Sequence, residues 1–538
     1  MQTKRYFASR RDFLAAGGFL AAGAALAPQA AMALSPRLAA LPSTPRPGGP
    51  SQAEWDRLGR ELAKSPRGGR LLRLGDADYQ VIALPNNLRY AHTLPQGVAR
   101  CASVAEVAYA VRWARDNNIR PIIRGGGHSY AGYSVTDGLL IETSLINEAS
   151  YDKATGVARF GAGARNRDLY RLLRANDRAV THGRCPSVGA AGFLLGGGIG
   201  FNMRGHGMAC DQLVDTQLVL ANGTVRRASP RARDKDDADL FWACQGAGGG
   251  NFGVSTEFAL QTFDVKNKVV TVFDLSWSRT PEIRPRVSVE ALGAMLMEAL
   301  NGASGKLGSR VSFGAITPLQ YKAGYDVPIS VLGQYDGPRD ELLKILKPVL
   351  DVAQPTGGAG MEELPYWAAQ DFLHEDGFAT FYQERSGFVN NPKFGLEDLA
   401  LGFRHLRQWP GVNGYCDLRF FQTGGAINAT KARDTAFVHR DSHWLMVVGL
   451  YWSEGDSHNK ILLDANRVWQ DEFYAAMWPR AGGGAYQNFA DPSLSHDPKS
   501  ADYFATAYYG ENLDRLKAIK VKADPDRVFN FNQAIPRP

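Results

Sequence analysis

The sequence predicts an α+β protein with more than one domain. At 538 residues the chain is long enough for several units of roughly 150 residues each. Helical and strand patterns alternate up to about residue 262, and three glycine clusters interrupt them. From about 266 to 480 the glycine clusters thin out, and seven of the ten tryptophans occur there. This change in composition predicts a domain boundary near residue 265.

Composition and charge narrow the class of protein. With 44% hydrophobic and 21% charged residues, the chain is not intrinsically disordered. Its net charge is +7, but without residues 1–33 the 61 basic and 54 acidic residues become 57 and 53, a net of +4. A charge this small and this dispersed predicts no nucleic-acid partner.

Residues 1–33 have the pattern of an export signal. Paired Arg10 and Arg11 precede an apolar run that reaches Ala27, and residues 31–33 offer a small-x-small cleavage site. The arginine pair resembles the twin-arginine signal, which exports folded proteins. The run is too short and too weakly apolar to span a bilayer stably, although a weak N-terminal anchor stays open. We therefore expect a bacterial periplasmic or secreted protein that uses the twin-arginine machinery and has no stable membrane insertion.

Local signals predict the elements of the first domain. An N-terminal arm over 34–84 is rich in Pro, Arg, Ser and Gly. Ser103 and Glu106 form a capping-box pattern that predicts the start of a helix. Further predicted elements are a strand over 119–123, a helix over 168–176, and strands over 216–221 and 224–226 joined by a type I′ turn at Asn222-Gly223.

The three glycine clusters span residues 124–129, 196–200 and 246–253. Gly248–Gly253 fits G-x-G-x-x-G, which marks a Rossmann site only when a strand precedes it and a helix follows. Here residues 239–244 predict a helix and 254–260 a strand, so the order is reversed and we exclude that site. The P-loop pattern does not occur in the sequence.

The first glycine cluster directly follows a predicted strand. Successive backbone N–H groups without Cβ atoms can form an anion-binding concavity, and Arg124 adds positive charge. One such cluster can be an ordinary tight turn. Three in one domain favour an extended, phosphate-bearing cofactor bound against bare backbone.

The five cysteines are odd in number and widely spaced, which does not fit a disulfide framework. His182 with Cys185 and His206 with Cys210 are residue types that bind zinc, but this spacing is uncommon for a zinc site. A Cys185–Cys210 disulfide is another possibility. His182 and Arg184 would favour a reactive thiolate at Cys185.

Two of these segments match a known family. Arg124-Gly-Gly-Gly-His128-Ser and Gly183-Arg-Cys185-Pro-Ser-Val188-Gly resemble the two flavin-attachment motifs of the berberine bridge enzyme-like oxidases, which belong to the vanillyl-alcohol oxidase superfamily. The likeness covers most of the chain, from about 85 to 535. Further similar segments are 196–200, 239–243, 424–426, 438–440, 509–517 and 524–530.

The resemblance implies a fold and a cofactor. The fold would be α+β, with a two-subdomain PCMH-type FAD-binding domain over 85–265 and an α/β substrate domain over 266–490. An antiparallel sheet of the second domain would cover the flavin, and residues 491–538 would return to the FAD domain. FAD would be bonded twice, through its 8α-methyl group to His128 and through its 6-position to Cys185. The other cofactor-binding residues implied are Arg124, Gly125, Gly126, Gly127, Ser129, Gly189, Gly192, Gly197, Gly198, Gly253, Val254 and Asn530.

The catalytic base departs from the family pattern. Oxidation of an alcohol needs hydride transfer to the flavin and a base for the hydroxyl proton. Many carbohydrate-oxidising members carry Tyr-x-Asn-Tyr with the second Tyr as base, whereas this chain has Tyr486-Gln-Asn488-Phe489. Tyr486 and Asn488 are kept, and Phe489 cannot accept a proton. The base is therefore expected to be Tyr486 or a group from elsewhere; the candidates are Asp417, Tyr415, His439 and Glu384.

The resemblance also predicts the reaction. A small residue such as Val188, three positions after the attachment Cys, accompanies oxidases in the family, whereas Leu or Ile accompanies dehydrogenases. We therefore expect an exported oxidase that acts on a small-molecule or oligosaccharide hydroxyl and reduces dioxygen to hydrogen peroxide. Oxidation or oxidative ring closure of a phenolic or other secondary metabolite stays open, as does a flavin-binding protein without turnover.

Overall fold

The computed structural model describes residues 49–283, 286–411, 415–496 and 502–538. Helices and strands mix along these residues in the α+β manner that the sequence predicts. The predicted export signal lies outside the described residues, as does the arm before residue 49. Within the described ranges, no helix combines the length and the apolar character that crossing a bilayer requires.

The first half of the chain contains a four-stranded sheet, a five-stranded sheet and a small strand pair. The sheet orders are β1-β2-β4-β3 and β5-β6-β10-β8-β9, and β7 pairs with β11. The strands are β1 Arg70–Leu72, β2 Gly97–Arg100, β3 Pro121–Arg124, β4 Leu139–Glu142, β5 Ala149–Asp152, β6 Val157–Gly161, β7 Arg178–Ala179, β8 Leu213–Val219, β9 Val225–Ala228, β10 Val254–Gln261 and β11 Phe263–Asp264. The helices are α1 Gln52–Leu62, α2 Tyr79–Ala83, α3 Val104–Asp116, α4 Asn166–Arg174, α5 Ala190–Leu195, α6 Met203–His206 and α7 Lys235–Cys244.

Helix α3 begins where the sequence predicts. The Ser103 hydroxyl accepts a hydrogen bond from the Glu106 backbone N–H at 3.3 Å, which satisfies one of the free donors of the first turn. The Glu106 carboxylate accepts from the N–H of Ala102 and not from that of Ser103, so the cap differs from the predicted capping box by one residue.

The predicted type I′ turn between β8 and β9 is wrong. Type I′ requires positive φ at both central residues, but in this turn only Gly223 has one, at +82°. The Gly223 N–H donates to the Leu220 carbonyl and the Leu220 N–H donates to the Thr224 carbonyl. The connection is therefore a three-residue loop in which glycine takes the left-handed position.

Two further expectations concern element order. A helix (α7) precedes the third glycine cluster and a strand (β10) follows it, which confirms the exclusion of a Rossmann site. The predicted arm contributes α1 and β1 in its described part. Strand β1 pairs antiparallel with β2, and Trp55 of α1 packs on Trp113 of α3 at 4.6 Å between ring centroids.

The second half of the chain is organised around one seven-stranded antiparallel sheet, in the order β15-β12-β14-β13-β17-β18-β16. Its strands are β12 Val269–Trp277, β13 Leu307–Gly314, β14 Ile329–Tyr335, β15 Gly357–Pro365, β16 Phe381–Val389, β17 Tyr415–Gln422 and β18 Trp444–Trp452. The helices are α8 Val289–Asn301, α9 Pro318–Lys322, α10 Arg339–Leu350, α11 Tyr366–Phe372, α12 Leu396–Leu406, α13 Ala426–Ala429, α14 Glu454–Ser457, α15 Lys460–Ala481, α16 Tyr503–Tyr509 and α17 Leu513–Ala523.

The two faces of this sheet differ because side chains alternate along a strand. In β17, Leu418 and Phe420 belong to the hydrophobic core with residues of α8, α10, α12 and α15. Asp417 and Arg419 point to the opposite face. The tryptophans of this half mostly fill the core, which is the ordinary role of a large apolar side chain. Those buried to at least nine-tenths are Trp277, Trp367, Trp409, Trp444, Trp452 and Trp469.

The chain returns to its first half after α17. The Lys520 ammonium, 3% exposed, donates to the backbone carbonyl of Asn251 at 2.6 Å, and the Ile535 N–H donates to the Asn251 side chain at 3.0 Å. The sheets change between Asp264 and Val269, next to the boundary expected at 265; the domain limits themselves stay predictions.

Candidate active site

A cavity of about 1860 Å³ lies against the polar face of the seven-stranded sheet. Its wall combines the glycine loops of the first half, strands β13, β16, β17 and β18, and the C-terminal segment around Asn530. Typical ligand pockets measure about 300–1,000 Å³. This cavity therefore has room for a large cofactor and a substrate together.

Two glycine loops meet at this wall. A Cβ atom on Gly126 would lie 2.1 Å from the Gly189 nitrogen, and one on Gly189 would lie 2.3 Å from the Gly126 nitrogen. Only residues without a Cβ allow the two backbones to approach so closely. The contact joins the loop of His128 to the loop of Cys185, although 57 positions separate those two residues.

His128 is held as a neutral imidazole. Burial and, to a smaller extent, the nearby positive charge of Arg165 lower its pKa to about 4, against a backbone hydrogen bond with Ser187 that raises it. At neutral pH the ring therefore keeps a lone pair on one nitrogen. The bond with Ser187 ties His128 directly to the second glycine loop.

Cys185 lies beside a group of charged residues. Its Sγ atom is 3.9 Å from the Glu375 carboxylate, which also accepts from Arg184 at 2.9 Å and from Arg310. A Cβ atom on Gly377 would be 3.1 Å from the Cys185 Cβ, so the segment after Glu375 packs on the cysteine.

The wall also fits a cofactor that binds to bare backbone. A Cβ added to Gly192 would meet no protein atom within 4 Å, so the backbone there faces open space. The Tyr133 hydroxyl and the Ser134 hydroxyl line the cavity, are buried, and have no hydrogen-bond partner among the described residues. Buried polar atoms in native proteins are nearly always paired, so a bound group is expected to supply the partners. These features suit the polar chain of FAD.

Most of the predicted site residues line this cavity. They are Gly125, Gly126, Gly127, His128, Ser129, Cys185, Val188, Gly189, Gly192, Gly253, Tyr486, Asn488 and Asn530. Four predicted cofactor contacts are not on the wall: Arg124, Gly197, Gly198 and Val254.

Each of these four has another role. The Arg124 guanidinium is buried and donates to the backbone carbonyls of Ser134 at 2.8 Å and Ala83 at 2.9 Å, so it binds the protein's own backbone and does not face the cavity. Val254 is in the core under the first sheet. Gly197 packs against Met208, and the Gly198 N–H donates to the Tyr486 hydroxyl.

Tyr486 is placed as a structural residue. Only 1% of it is exposed, and its hydroxyl accepts from the Gly198 N–H at 2.9 Å and from the Asn488 amide at 3.2 Å. Burial raises the pKa of this hydroxyl above its ordinary value. Phe489 stacks on Tyr130 with ring centroids 4.6 Å apart.

The other candidate bases separate into two groups. His439 is buried against Phe388 and does not line the cavity, and burial lowers its pKa to about 3. Asp417 is fully buried behind the wall. Tyr415 and Glu384 line the cavity.

Three neighbouring strands carry these residues together. Glu384 is on β16, Tyr451 on β18, and Tyr415, Asp417 and Arg419 on β17; these five residues form what we call the polar cluster. Arg419 and Tyr451 belong to no motif of the sequence and were not predicted as site residues. The alternation of polar and core residues along a predicted strand could have indicated both, because the polar residues of such a pattern lie on one face of the sheet.

The polar cluster is tightly hydrogen-bonded. Arg419 donates twice to Asp417, at 2.9 Å in each case, once to Glu384 at 3.1 Å and once to the Tyr451 hydroxyl at 3.3 Å. The Tyr415 hydroxyl donates to Asp417 at 3.0 Å, and the Tyr451 hydroxyl donates to Glu384.

The zinc and disulfide alternatives find no support in the structure. His182 contacts the Tyr366 hydroxyl at 3.2 Å, and His206 stacks on Phe263. In the described ranges no three His, Cys, Asp or Glu side chains come together as a metal site, and none of the five cysteines forms a disulfide.

The chain matches two family models and several known proteins. The model described as FAD binding domain matches residues 95–229, and the one described as berberine and berberine like matches 485–536. A carbohydrate oxidase of Microdochium nivale is 30% identical over 488 residues, which cover 86% of this chain and 91% of that protein. The chain belongs to the berberine bridge enzyme-like FAD-linked oxidoreductases.

Two further members show the breadth of this family. The (R)-6-hydroxynicotine oxidase of Paenarthrobacter nicotinovorans is 28% identical over 444 residues, which cover 82% of this chain and 91% of that protein. The structure of Physcomitrella patens BBE-like 1 is 29% identical, with a TM-score of 0.75, and the match covers 89% of this chain and 99% of that one. The predicted family and fold are confirmed, and the protein is an FAD-dependent oxidoreductase.

Proposed function

We propose that this berberine bridge enzyme-like protein is an exported oxidase whose FAD is bonded to both His128 and Cys185. It would oxidise an alcohol or sugar hydroxyl and pass the electrons to dioxygen, which yields hydrogen peroxide. FAD supplies the acceptor for the hydride that leaves the substrate carbon. The observation that carries the proposal is the backbone contact of Gly126 with Gly189, which puts both attachment loops at one end of a cavity large enough for cofactor and substrate.

The environments of the two attachment residues support the proposal. A neutral imidazole at His128 has the lone pair that a carbon–nitrogen bond needs, and its lowered pKa of about 4 keeps it neutral over the physiological range. At Cys185 the guanidinium groups of Arg184 and Arg310 lie around the Glu375 carboxylate that the thiol contacts. The Glu375 carboxylate accepts the thiol's hydrogen bond, and the two guanidinium groups offset the carboxylate charge that would otherwise oppose the thiolate, which is the reactive form.

The polar wall favours a hydroxyl-bearing substrate. Carboxylate, guanidinium and phenol groups alternate on the cavity side of β16, β17 and β18, and such groups bind and orient sugar hydroxyls. The carbohydrate oxidase of Microdochium nivale supports the same substrate class.

An aromatic substrate is the second candidate. Tyr130, Phe489 and Phe421 form an aromatic strip on the wall, with Phe489 between the other two rings at 4.6 and 6.0 Å. Aromatic rings bind flat apolar ligands well. The (R)-6-hydroxynicotine oxidase of the same family fits this alternative.

The attachment is tested by acid precipitation. We expect washed wild-type precipitate to stay yellow, His128→Ala and Cys185→Ala each to keep flavin through the other bond, and the double variant to lose it all. Matched controls are His206→Ala and Cys244→Ala, a histidine and a cysteine that do not line the cavity. A colourless wild-type precipitate would contradict covalent attachment.

The reaction is tested by a substrate screen with peroxide detection. Oligosaccharides, simple alcohols and phenolic metabolites are supplied at equal concentration under air. Hydrogen peroxide with sugars supports the first candidate, and peroxide with phenolic compounds alone supports the second. Flavin that stays oxidised with every compound would indicate a flavin-binding protein without turnover.

A further inference from the structure

We propose that Tyr451 takes the proton of the substrate hydroxyl while it passes its own proton to Glu384. This inference rests on the proposed function, because it requires an alcohol as substrate. It answers the question left by Phe489, which has no group that can accept a proton. Tyr486 does not replace it, since its buried hydroxyl oxygen already accepts two hydrogen bonds, from Gly198 and Asn488, whereas the Tyr451 oxygen accepts one, from Arg419 at 3.3 Å.

The polar cluster borders the end of the cavity where His128 lies. Tyr130, two residues after His128, packs edge-on against Tyr382 at 5.1 Å, and Tyr382 stacks on Tyr451 at 5.8 Å. Phe489 stacks on Tyr130 with ring centroids 4.6 Å apart. Tyr451 is therefore two rings away from the position at which other family members carry the base.

The charges of the cluster favour a proton acceptor. Arg419 is a single cation between two carboxylates, those of Asp417 and Glu384, so the three groups carry a net charge of −1. Arg419 and Glu384 have side chains that are 11% and 1% exposed, and a surplus charge is costly where water is largely excluded. A proton that arrives on Glu384 brings the net charge of these three groups to zero.

The same geometry distinguishes Tyr451 from Tyr415, which also lines the cavity. Tyr415 donates to Asp417, whose charge is matched by the two hydrogen bonds from Arg419. Glu384 receives one hydrogen bond from Arg419, and its Oε2 atom is buried without a partner among the described residues. Glu384 thus has an oxygen left for a proton, and it lies in contact with the Tyr451 hydroxyl.

Atoms and electrons balance in this step. The O–H bond of the substrate breaks and its proton goes to the Tyr451 oxygen, while the phenolic proton moves to Glu384. The electron pair left on the substrate oxygen forms the carbonyl, and the hydrogen of the adjacent C–H bond leaves with both bonding electrons, as hydride, to the bound FAD. Dioxygen then takes the two electrons and the proton of that hydride from the reduced cofactor, and a second proton that Glu384 releases, to leave as hydrogen peroxide.

The protonation of Tyr451 is set by burial and by its neighbours. Burial raises the pKa of Tyr451 well above its ordinary value, against the positive charge of Arg419, so the resting hydroxyl is neutral and has a proton to pass on. The groups that face the pair directly are Asp417, Arg419, Tyr382 and Tyr130; the adjoining wall carries Tyr415, Arg310, Glu375, Arg184 and Cys185.

The first test is stopped-flow reduction of the holoenzyme without oxygen, with a substrate that the screen identifies. We expect Tyr451→Phe and Glu384→Gln each to slow the reduction about 10²–10⁴-fold, the usual contribution of a general base. Reoxidation by dioxygen should change far less. Equal loss in both half-reactions, with a normal flavin spectrum, would overturn the proposal.

A matched pair serves as the control. Tyr335 donates to Glu341 at 2.7 Å, the same hydroxyl–carboxylate contact, but neither residue lines the cavity. Tyr335→Phe and Glu341→Gln should leave the reduction rate within about twofold of wild type, as expected for substitutions away from special features.

The second test needs no substrate. In infrared spectra of the holoprotein, the carboxylate stretching band that Glu384→Gln removes belongs to Glu384. We expect Tyr451→Phe to shift this band, because it removes the hydrogen bond from the Tyr451 hydroxyl, and Tyr335→Phe to leave it in place. An unmoved band in Tyr451→Phe overturns the proposal, whereas a wild type that oxidises no alcohol but shows the shift overturns only the proposed function.

Discussion

Replacing Lys520 by Met tests how the C-terminal segment is attached to the FAD-binding half. The Lys520 side chain, 3% exposed, donates to the Asn251 carbonyl at 2.6 Å, the Asp524 carboxylate at 2.6 Å and the Phe529 carbonyl at 2.7 Å. An ammonium has three donors, and all three are used here. A methionine in this place nearly keeps the length of the side chain and removes every one of these bonds.

The cost of Lys520→Met follows from the groups that lose their partner. Asp524 is fully buried and would lose its counter-charge, and removing one partner of a buried ion pair costs about 3–5 kcal/mol. The backbone N–H groups of Val528 and Phe529 still donate to Asp524, at 2.8 and 2.9 Å. Because these two donors still stabilise the carboxylate, we expect the loss in the free energy of unfolding to lie at the lower end of this range, at about 3 kcal/mol.

The assay is urea unfolding followed by flavin fluorescence, which reports the half of the chain that holds the cofactor. The matched control is Lys522→Met, whose ion pair with Asp236 is 58% and 49% exposed, so that solvent screens most of its contribution to stability. Lys520→Met with Asp524→Asn should recover part of the loss, because no charge is then left unpaired. If Lys520→Met loses no more stability than Lys522→Met, the reasoning is refuted.

Three further predictions concern dioxygen, pH and export. Val188→Ile adds one methylene to the cavity wall, and we expect it to slow reoxidation about 10-fold or more while reduction stays nearly unchanged. An extra methylene in a packed pocket changes rates by about this factor. Equal reoxidation rates in stopped-flow would argue against a role for Val188. His439 has a pKa of about 3 in the folded protein against an ordinary 6.5, so the unfolded chain binds the proton first and stability falls as the pH drops from 6.5 towards 3. His439→Gln should therefore show a shallower loss of urea stability between pH 6.5 and 5, and parallel curves would contradict this. Replacing Arg10 and Arg11 with Lys should retain the protein in the cytoplasm, as measured by cell fractionation, and undiminished export would indicate another route.

The sequence predicted local features of the fold well. The start of α3 at Ser103 and the helix-to-strand order around Gly248–Gly253 depend on capping and periodicity, which act over a few residues. The turn at Asn222-Gly223 was predicted with the wrong type. Its residues suit several turn types, and the choice among them depends on the twist and pairing of the flanking strands.

The site was predictable only in part. The two attachment motifs were found by resemblance, but the contact of Gly126 with Gly189 joins distant parts of the chain and has no local signal. Arg124 was assigned to a phosphate because its charge can be read from the sequence, whereas the direction of its side chain cannot. The hydrogen bond of Tyr451 to Glu384 depends on the register of β16 with β18, where Tyr451 pairs with Tyr382 and Glu384 with Gly449.

The return of the C-terminal segment to Asn251 has a consequence for biosynthesis. His128 leaves the ribosome about 400 residues before Ile535, a delay of roughly 20–80 s at common elongation rates. During that time the glycine loops can form, but the cavity lacks the wall that Asn530 and Phe531 provide. We therefore expect cofactor loading to be completed only after translation, and chains cut short before Lys520 to retain less cofactor even with both attachment motifs complete.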